Sequence, residues 1–406
     1  MGTKKLDTHV RSILREVKEK GDIALIEFTK KFDIVDLSNK NLRVTQEEIK
    51  RAYETVSEEQ ISALRFMKER VESLEKRLLE QVTLQLEDNG VKVYGSPRPI
   101  QSVGCYVPGG EAAYPSTLIM TAVPAKVAGV PRVVVCTPPT ENGRVNSLTL
   151  VAADLCKVDE VYRVGGAQAI AALAYGTETL KPVRKIVGPG NRYVTVAKLL
   201  VSRNVAIDMP AGPSEILVLA DGTADAHIIA LDMISQAEHS IDGISGLITT
   251  SKKLAEGVTA ELGKRISAIP RSDIVAEALR RNGFIILCQT MDEAIELANT
   301  FAPEHLEIIT ENPRGVAKEI ISAGLVLLGP STPVAASDYC LGTNHVLPTG
   351  GFGHTLSGLS VLDFIRRVNF VECSPEGLQR LRANVRVLAE TEGLPNHSLA
   401  VEGRFK

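Results

Sequence analysis

Several class signatures are missing from this chain. There is no Gly-x-Gly-x-x-Gly: Gly188-Pro-Gly190 comes nearest but has no third glycine, so any dinucleotide site must be unorthodox. The six cysteines are scattered without Cys-x-x-Cys spacing, which indicates neither a disulfide framework nor a thiolate zinc site. No apolar run approaches the roughly 20 residues of a membrane helix. Met1-Gly-Thr-Lys-Lys-Leu-Asp7 lacks the apolar core of a signal peptide. A net charge of −3 gives no reason to expect nucleic acid or an anionic membrane as partner. The expected location is the cytoplasm.

What remains is a globular composition. With 406 residues, 44% hydrophobic and 23% charged, the chain is long enough for two or three domains with full cores. Residues 1–101 are polar and helical in pattern. Thr45-Gln-Glu-Glu48 has capping-box spacing ahead of a long charged helix reaching about Gln81, read as a solvated packing helix. Part of this region is expected to pack on the second α/β domain. Residues 90–100 read as a strand or hairpin arm.

From Ser102 the pattern becomes repeated strand–helix units, giving a first domain at 102–222. Strand 103–107 ends in Pro108-Gly109-Gly110, helix 116–128 follows, and strands 133–136, 160–164 and 185–187 alternate with helices 167–175 and 193–202. Buried β-branched strands between helices argue for a parallel sheet covered on both faces. Ligands on such sheets sit beyond the carboxyl ends of the strands. Tyr106, Gln168 and Asn191 each lie just past a strand end, in three separate units.

A second run of units spans 223–360. Its first helix, starting near Asp225, carries Ile229, Ala230, Met233, Ile234 and Ala237 on one face, with Gln236 and His239 bordering that stripe. Strands 245–249, 284–288, 305–309 and 325–328 alternate with helices, including one at 313–323. Two successive open units suggest an ancient duplication. Residues 330–348 are irregular yet rich in apolar and special residues, which favours a functional segment over a linker. The tail, 361–406, is expected to be helical, with a helix starting at Ser374-Pro375 and running to about Glu392. After it the chain breaks away to His397, an arrangement suited to reaching another subunit. The fold class is thus α/β: two open, incomplete Rossmann-like parallel-sheet domains, an N-terminal helical region and a helical C-terminal tail.

The chemistry centres on Phe301-Ala-Pro-Glu-His305. Pro303 ends the helix at 292–301, because proline restricts its predecessor and cannot continue a helical ladder. A strand follows, so Glu304 and His305 sit at a helix-to-strand corner held by two rigid elements. Imidazole titrates near neutrality and burial can tune a carboxylate upward, so such a pair can divide proton work. For an isolated Glu-His dipeptide, a surface carboxylate beside a strand-edge histidine is the plainer reading. Only seven histidines are present, and His239, His305, His345 and His397 fall in corners or irregular segments. Gln236, His239, Asp338 and His397 could supply two nitrogens and two oxygens to a divalent cation such as zinc. Spacing does not bring them together, and each taken singly is more ordinarily a hydrogen-bonded surface or capping residue. His9, His227 and His354 belong to that plain class. Cys105 and Cys340 have no neighbouring base in sequence, and Cys136 and Cys288 lie in apolar strands, so a thiol mechanism is not expected.

Taken in order, Tyr106-Val-Pro-Gly-Gly110, Gly165-Gly-Ala-Gln168 through Ala174, Gly188-Pro-Gly-Asn191, Ala211-Gly-Pro-Ser-Glu215, Gln236-Ala-Glu-His239, Phe301-Ala-Pro-Glu-His-Leu306 and Asp338-Tyr-x-x-Gly-Thr-Asn-His-Val-Leu-Pro348 strongly resemble the histidinol dehydrogenase family. The likeness runs from about residue 5 to 397. It implies NAD- and zinc-dependent oxidation of L-histidinol through the aldehyde to L-histidine, the last steps of histidine biosynthesis. By the same resemblance Gln236, His239, Asp338 and His397 match zinc ligands, one zinc ion per subunit. His397 and Glu392 would come across the interface of a homodimer. Glu304 and His305 match the acid–base pair, Ser214, His345 and Glu392 match substrate contacts, and Tyr106, Gln168 and Asn191 match NAD contacts. Substrate would also meet Gln236, His239, His305, Asp338 and His397. The first domain would then be the NAD side, and the second would carry the zinc and acid–base residues. Two departures stand out: His354-Thr-Leu-Ser-Gly-Leu359 differs slightly from the family pattern, and the tail after His397 is short.

The chemistry then expected has His305 taking the hydroxyl proton and Glu304 deprotonating the water that hydrates the aldehyde. A zinc hydrolase on the same scaffold is the alternative; it would not need Tyr106, Gln168 and Asn191. An ordinary zinc alcohol dehydrogenase would need cysteine ligands and a full glycine fingerprint. A non-catalytic binding protein would tolerate loss of the Glu304-His305 pair, which this chain retains.

Overall fold

The computed structural model describes residues 3–38, 41–109, 113–210 and 212–405. Gly110 of the first glycine turn and Ala211 lie outside the described residues. The chain opens with helices Thr3–Lys20 and Asp22–Phe32, which pack on helices Gly166–Tyr175 and Arg192–Val201. The Thr45 capping box forms: Thr45 Oγ1 accepts from the Glu48 amide, and the Glu48 carboxylate accepts from the Thr45 amide at 2.9 Å. The helix it starts, Gln46–Tyr53, is short. A second capping box, Ser57 with Gln60, starts a new helix at Glu58–Glu80. The single long helix expected here is therefore two, because the Ser57 hydroxyl captures backbone N–H groups in the middle of the run. These helices lie against Ser147–Leu155 and Pro115–Val127 of the first unit, where part of the region was expected on the second. Contact toward the second unit includes Arg70, whose guanidinium donates to the Cys340 and Leu341 carbonyls at 3.2 and 3.3 Å.

Strands β1 (Leu84–Asp88) and β2 (Val91–Pro99) form a hairpin. Asn89 and Gly90 turn it with φ of 48° and 85°, the pair of positive values that Asn-Gly accommodates. The first sheet is built from β3 (Ser102–Tyr106), β4 (Arg132–Thr137), β5 (Glu160–Arg163), β6 (Lys185–Val187) and β7 (Ala206–Ile207), all parallel, in the order β5-β4-β3-β6-β7. The second uses β8 (Glu215–Ala220), β9 (Ile244–Thr249), β10 (Gly283–Leu287), β11 (His305–Ile309) and β12 (Leu325–Leu328), also parallel, in the order β10-β9-β8-β11-β12. Within each unit the first strand lies between the second and the fourth. This is the doubly wound dinucleotide-fold order short of its last strand, hence two open, incomplete Rossmann-like sheets. The shared order is what a duplicated unit would produce. The central strands β3, β8 and β11 are buried along their whole length and are largely apolar, with Glu215, His305 and Glu307 as the charged or titratable exceptions.

Three segments differ from expectation. Helix Pro313–Ala317 stops six residues before the expected end at Ala323. The irregular stretch at 330–348 contains a short helix, Val334–Tyr339. The tail expected to be helical opens instead with strand β13 (Ile365–Cys373), which pairs antiparallel with β2 along its whole length. This strand is mostly solvent-exposed, so it carries no apolar periodicity; its partner across the sheet holds it, with Tyr94 stacked on Phe370 at 5.2 Å. Helices Pro375–Thr391 and Pro395–Glu402 follow as expected for a helical tail.

Candidate active site

The Glu304-His305 corner is built by a forced helix stop. Helix Met291–Phe301 ends in Ala302, held in the left-handed region at φ 49° and ψ 61°, and Pro303 then excludes another helical turn. A buried non-glycine residue in that region stores local strain beside the functional pair. Glu304 then enters the amino edge of the second sheet, and His305 is the first residue of β11, between β8 and β12.

At that edge three carboxylates surround one imidazole. Glu304 Oε2 accepts the Glu215 amide at 2.8 Å and lies 3.6 Å from His305 Nδ1. Glu215 in turn accepts the Gly350 amide at 2.9 Å and the Glu304 amide at 3.3 Å. Asp338 Oδ1 lies 3.7 Å from His305 Nε2. His305 Nδ1 donates to the Glu215 carbonyl at 3.2 Å, which leaves Nε2 as the free nitrogen; that atom is buried without a hydrogen-bond partner. Burial alone would lower the His305 pKa, but Glu304, Asp338 and the Glu215 carbonyl outweigh it and raise it to about 9. Burial also pushes Glu215 upward, reinforced by the charge of Glu304.

His345 completes the cluster from the irregular segment. Its Nδ1 donates to the Asp338 carbonyl at 3.0 Å, and its Nε2 lies 3.5 Å from Thr117 Oγ1. Burial lowers the His345 pKa, so it is the weaker base of the two imidazoles. Thr117 sits in the first turn of helix Pro115–Val127, which follows β3, and Asn344 anchors the same helix by donating to the Met120 carbonyl at 2.7 Å. The carboxyl edge of the first sheet is thereby brought against the amino edge of the second.

Gln236 is buried in the last turn of helix Ala226–Ala237, which packs against β8 and helix Val334–Tyr339; its Oε1 has no hydrogen-bond partner. His239 is exposed in the turn that follows, its amide donating to the Gln236 carbonyl at 3.3 Å. Ser214 lies at the entry to β8, where its carbonyl accepts the Ile244 amide at 2.9 Å. Glu392 and His397 are exposed on the tail, which Ser374 ties to the hairpin by donating to the Gly90 carbonyl at 2.8 Å. Among the described residues of a single chain, no three His, Cys, Asp or Glu side chains converge with metal-holding geometry.

On the first sheet, Tyr106 is buried, and its hydroxyl accepts the Gly166 amide at 3.1 Å; burial pushes its pKa up to about 12. Gln168 is buried two residues after Gly166, while exposed Asn191 caps helix Arg192–Val201 by accepting from the Tyr193 and Val194 amides at 3.0 and 3.2 Å. Gly188 (φ 114°) passes so close that a Cβ would sit 2.1 Å from the Tyr106 carbonyl oxygen, so only glycine fits. One buried ion pair grips the same glycine. Lys198 Nζ donates to its carbonyl at 2.9 Å and pairs with Asp208, whose other oxygen accepts its amide at 2.6 Å.

Sequence reasoning missed Glu215, Thr117 and Asn344. Glu215 ends the block Ala211-Gly-Pro-Ser-Glu215 and starts β8, and a charged residue opening an otherwise apolar strand was its available signal. His354, set aside as structural, bonds to Ser322 and Thr300 at 3.0 and 3.3 Å beside a surface groove of about 510 Å³ that holds none of the residues above. No described helix is long and apolar enough to cross a membrane.

Comparison with known proteins gives a consistent result. A family model described as histidinol dehydrogenase matches residues 1–405. Curated histidinol dehydrogenases from Clostridium acetobutylicum and Methanocaldococcus jannaschii are 48% and 46% identical to this chain, each alignment covering 98% of it and 92% of the relative. The crystal structure of histidinol dehydrogenase from Elizabethkingia anophelis superposes with a TM-score of 0.95 at 38% identity, covering 100% of this chain and 93% of that one.

Proposed function

Because the chain belongs to the histidinol dehydrogenase family, an oxidoreductase family of histidine biosynthesis, we propose that it oxidises L-histidinol through L-histidinaldehyde to L-histidine with NAD and one zinc ion per subunit. The observation that carries this reading is the buried Glu304–His305 pair facing Asp338, at an edge where the second unit meets the first. We take 102–222 as the coenzyme unit and 223–360 as the substrate unit, in the cytoplasm.

Two hydrides must leave the same carbon in turn. With Nδ1 donating to the Glu215 carbonyl, His305 in its deprotonated form accepts the substrate hydroxyl proton at Nε2, and the carboxylates that raise its pKa make it the stronger base. The aldehyde must be hydrated before a second hydride can leave. Glu304 takes a proton from the attacking water, and His305, having passed its first proton to solvent, takes the hydrate's hydroxyl proton in the second oxidation. NAD, as hydride acceptor, would lie toward Tyr106, Gln168 and Asn191. There, helices Pro115–Val127, Gly166–Tyr175 and Arg192–Val201 begin, and their N-termini suit a pyrophosphate.

The donor set fits zinc. Gln236 Oε1 is a buried acceptor left without a partner, and imidazole with carboxylate and amide oxygen suits a borderline divalent cation. Gln236, His239 and Asp338 would hold the ion with His397 of a second copy of the chain, and it would serve as a Lewis acid that orients the substrate imidazole and amine. Ser214, His345 and Glu392 would complete the substrate pocket. The homodimer is supported by the apolar side chains exposed on the tail, Leu388 at 62% and Leu399 at 65% among them. The hydrolase alternative finds no support, since the matching family and relatives are dehydrogenases.

The direct test is NADH formed per L-histidinol consumed, before and after chelation. Two NADH per histidinol, lost on chelation and restored by zinc, is the expected result. One NADH with free aldehyde would remove the role given to Glu304, and none at all would overturn the assignment.

A further inference from the structure

Beneath the site lies a second buried carboxyl cluster that the mechanism above does not use. Glu307, 2% exposed, is in β11 two residues past His305 and so points to the same face of the sheet. Its Oε1 accepts the amide of Val334 at 2.6 Å. Val334 is the first residue of helix Val334–Tyr339, and Asp338 lies one turn further on. Glu307 Oε2 is buried with no partner in hydrogen-bonding geometry, and the Asp232 carboxyl, itself 7% exposed, faces Glu307. Asp232 is on helix Ala226–Ala237, one turn before Gln236 on the same side. Three elements therefore each place one group in this lower layer and one in the site above. β11 contributes Glu307 and His305, helix Ala226–Ala237 contributes Asp232 and Gln236, and helix Val334–Tyr339 contributes the Val334 amide and Asp338.

We propose that Asp232 and Glu307 share one proton in a carboxyl–carboxylate bridge, and that this bridge is the positioning device that sets Gln236, His305 and Asp338 at their working separations. Two ionised carboxylates buried side by side would repel each other, and each would carry an uncompensated desolvation cost. A single shared proton removes one charge and satisfies the orphaned Oε2. Burial, then the charge of the neighbouring Asp232, pushes Glu307 well above the ordinary carboxylate range, and burial pushes Asp232 upward too, the direction expected of two carboxyls that share a proton. Glu307 and Asp232 touch neither substrate nor coenzyme in this arrangement; they act through the residues above them. The inference rests on the site reading under Proposed function.

Substitution separates the bridge from simple bulk. In Glu307→Gln the amide oxygen still accepts from Val334 and the NH2 group donates to Asp232, so the bridge survives without its proton. Glu307→Leu keeps the volume and removes both bonds. The expected result is that Glu307→Gln stays close to wild type, while Glu307→Leu raises KM for L-histidinol and loses zinc to a chelator on the order of 10-fold more readily, as outer-layer partners of metal ligands do. KM for NAD should not move in either. If Glu307→Leu does not fold, Asp232→Ala, which spares the Val334 bond, is read the same way. A Glu307→Gln protein as impaired as Glu307→Leu, or disruptive variants with unchanged KM and zinc release, would overturn the bridge while a competent wild type leaves the parent reading intact. Wild-type protein that neither holds zinc nor oxidises L-histidinol would overturn both.

Discussion

The two parallel sheets share one strand order, yet their candidate residues gather at opposite edges. On the first, Tyr106, Gln168 and Asn191 lie at the carboxyl edge, where three helices begin. On the second, Glu215, Glu304 and His305 lie at the amino edge, where helices Ala226–Ala237 and Met291–Phe301 end. Helix N-termini present unpaired N–H groups and a partial positive charge, and C-termini the reverse. The carboxyl edge thus suits the phosphates of a coenzyme. The amino edge, with three carboxylates added, suits a cation or a protonated imidazole. One topology used from its two ends supplies two kinds of site, and the contact between Thr117 and His345 joins them.

The buried pairs behind the edges differ in the same way. The first unit clamps Gly188 with opposite charges, Lys198 and Asp208, and the second braces its helices with two carboxyls, Asp232 and Glu307. An ion pair needs both partners, whereas a carboxyl pair needs a proton.

The strongest way to break the contrast is at the amino edge. His305→Ala should lower kcat for both oxidations by roughly 10²- to 10⁴-fold, the usual range for a lost general base. Glu304→Gln should retain histidinol oxidation and slow aldehyde oxidation, measured with each substrate supplied separately; equal loss in both would refute the division of labour. Next is the first unit's clamp. Lys198→Met strips the buried Asp208 carboxyl, already pushed upward by burial, of the cation that opposes that shift, at a cost of about 3–5 kcal/mol in urea unfolding. Replacing both residues by apolar ones should recover much of it, since a buried ion pair gains little over good packing. A Lys198→Met midpoint equal to wild type would show that the charge is not buried as described. Smaller again is Asn191→Ala, which removes a helix cap worth about 1 kcal/mol and should raise KM for NAD with little change in KM for histidinol.

The smallest effect concerns pH. Glu75, in helix Glu58–Glu80, is 1% exposed and accepts the Val361 amide at 2.6 Å, and burial raises its pKa from 4.5 to about 7. The folded protein therefore binds this proton more tightly than the unfolded chain. The associated stability is fully present below pH 4.5 and is lost as the pH rises through about 7. Glu75→Gln should flatten that part of the stability profile, read as urea midpoints at about pH 5 and pH 8; an unchanged slope would show that Glu75 is already ionised when folded.

Much of this was legible in the residues alone. Buried β-branched strands set between helices announce a parallel α/β architecture, because such strands are covered on both faces and read as continuous apolar runs. Pro303 announces the helix stop ahead of Glu304-His305, and the Thr45 box and the Ser374-Pro375 start are local chemistry; the Ser57 box is equally local but was passed over. What needed three dimensions is every feature created by pairing residues far apart in the chain. The exposed strand β13 exists only because β2 holds it. Glu215 becomes a neighbour of Glu304 only because β8 and β11 lie side by side, and Asp232 meets Glu307 only when helix Ala226–Ala237 packs against β8 and β9 of the same sheet. Side-chain periodicity encodes which face of an element is buried. Which charged group waits on the facing element is set by strand order and packing, and so is the edge at which a sheet does its chemistry.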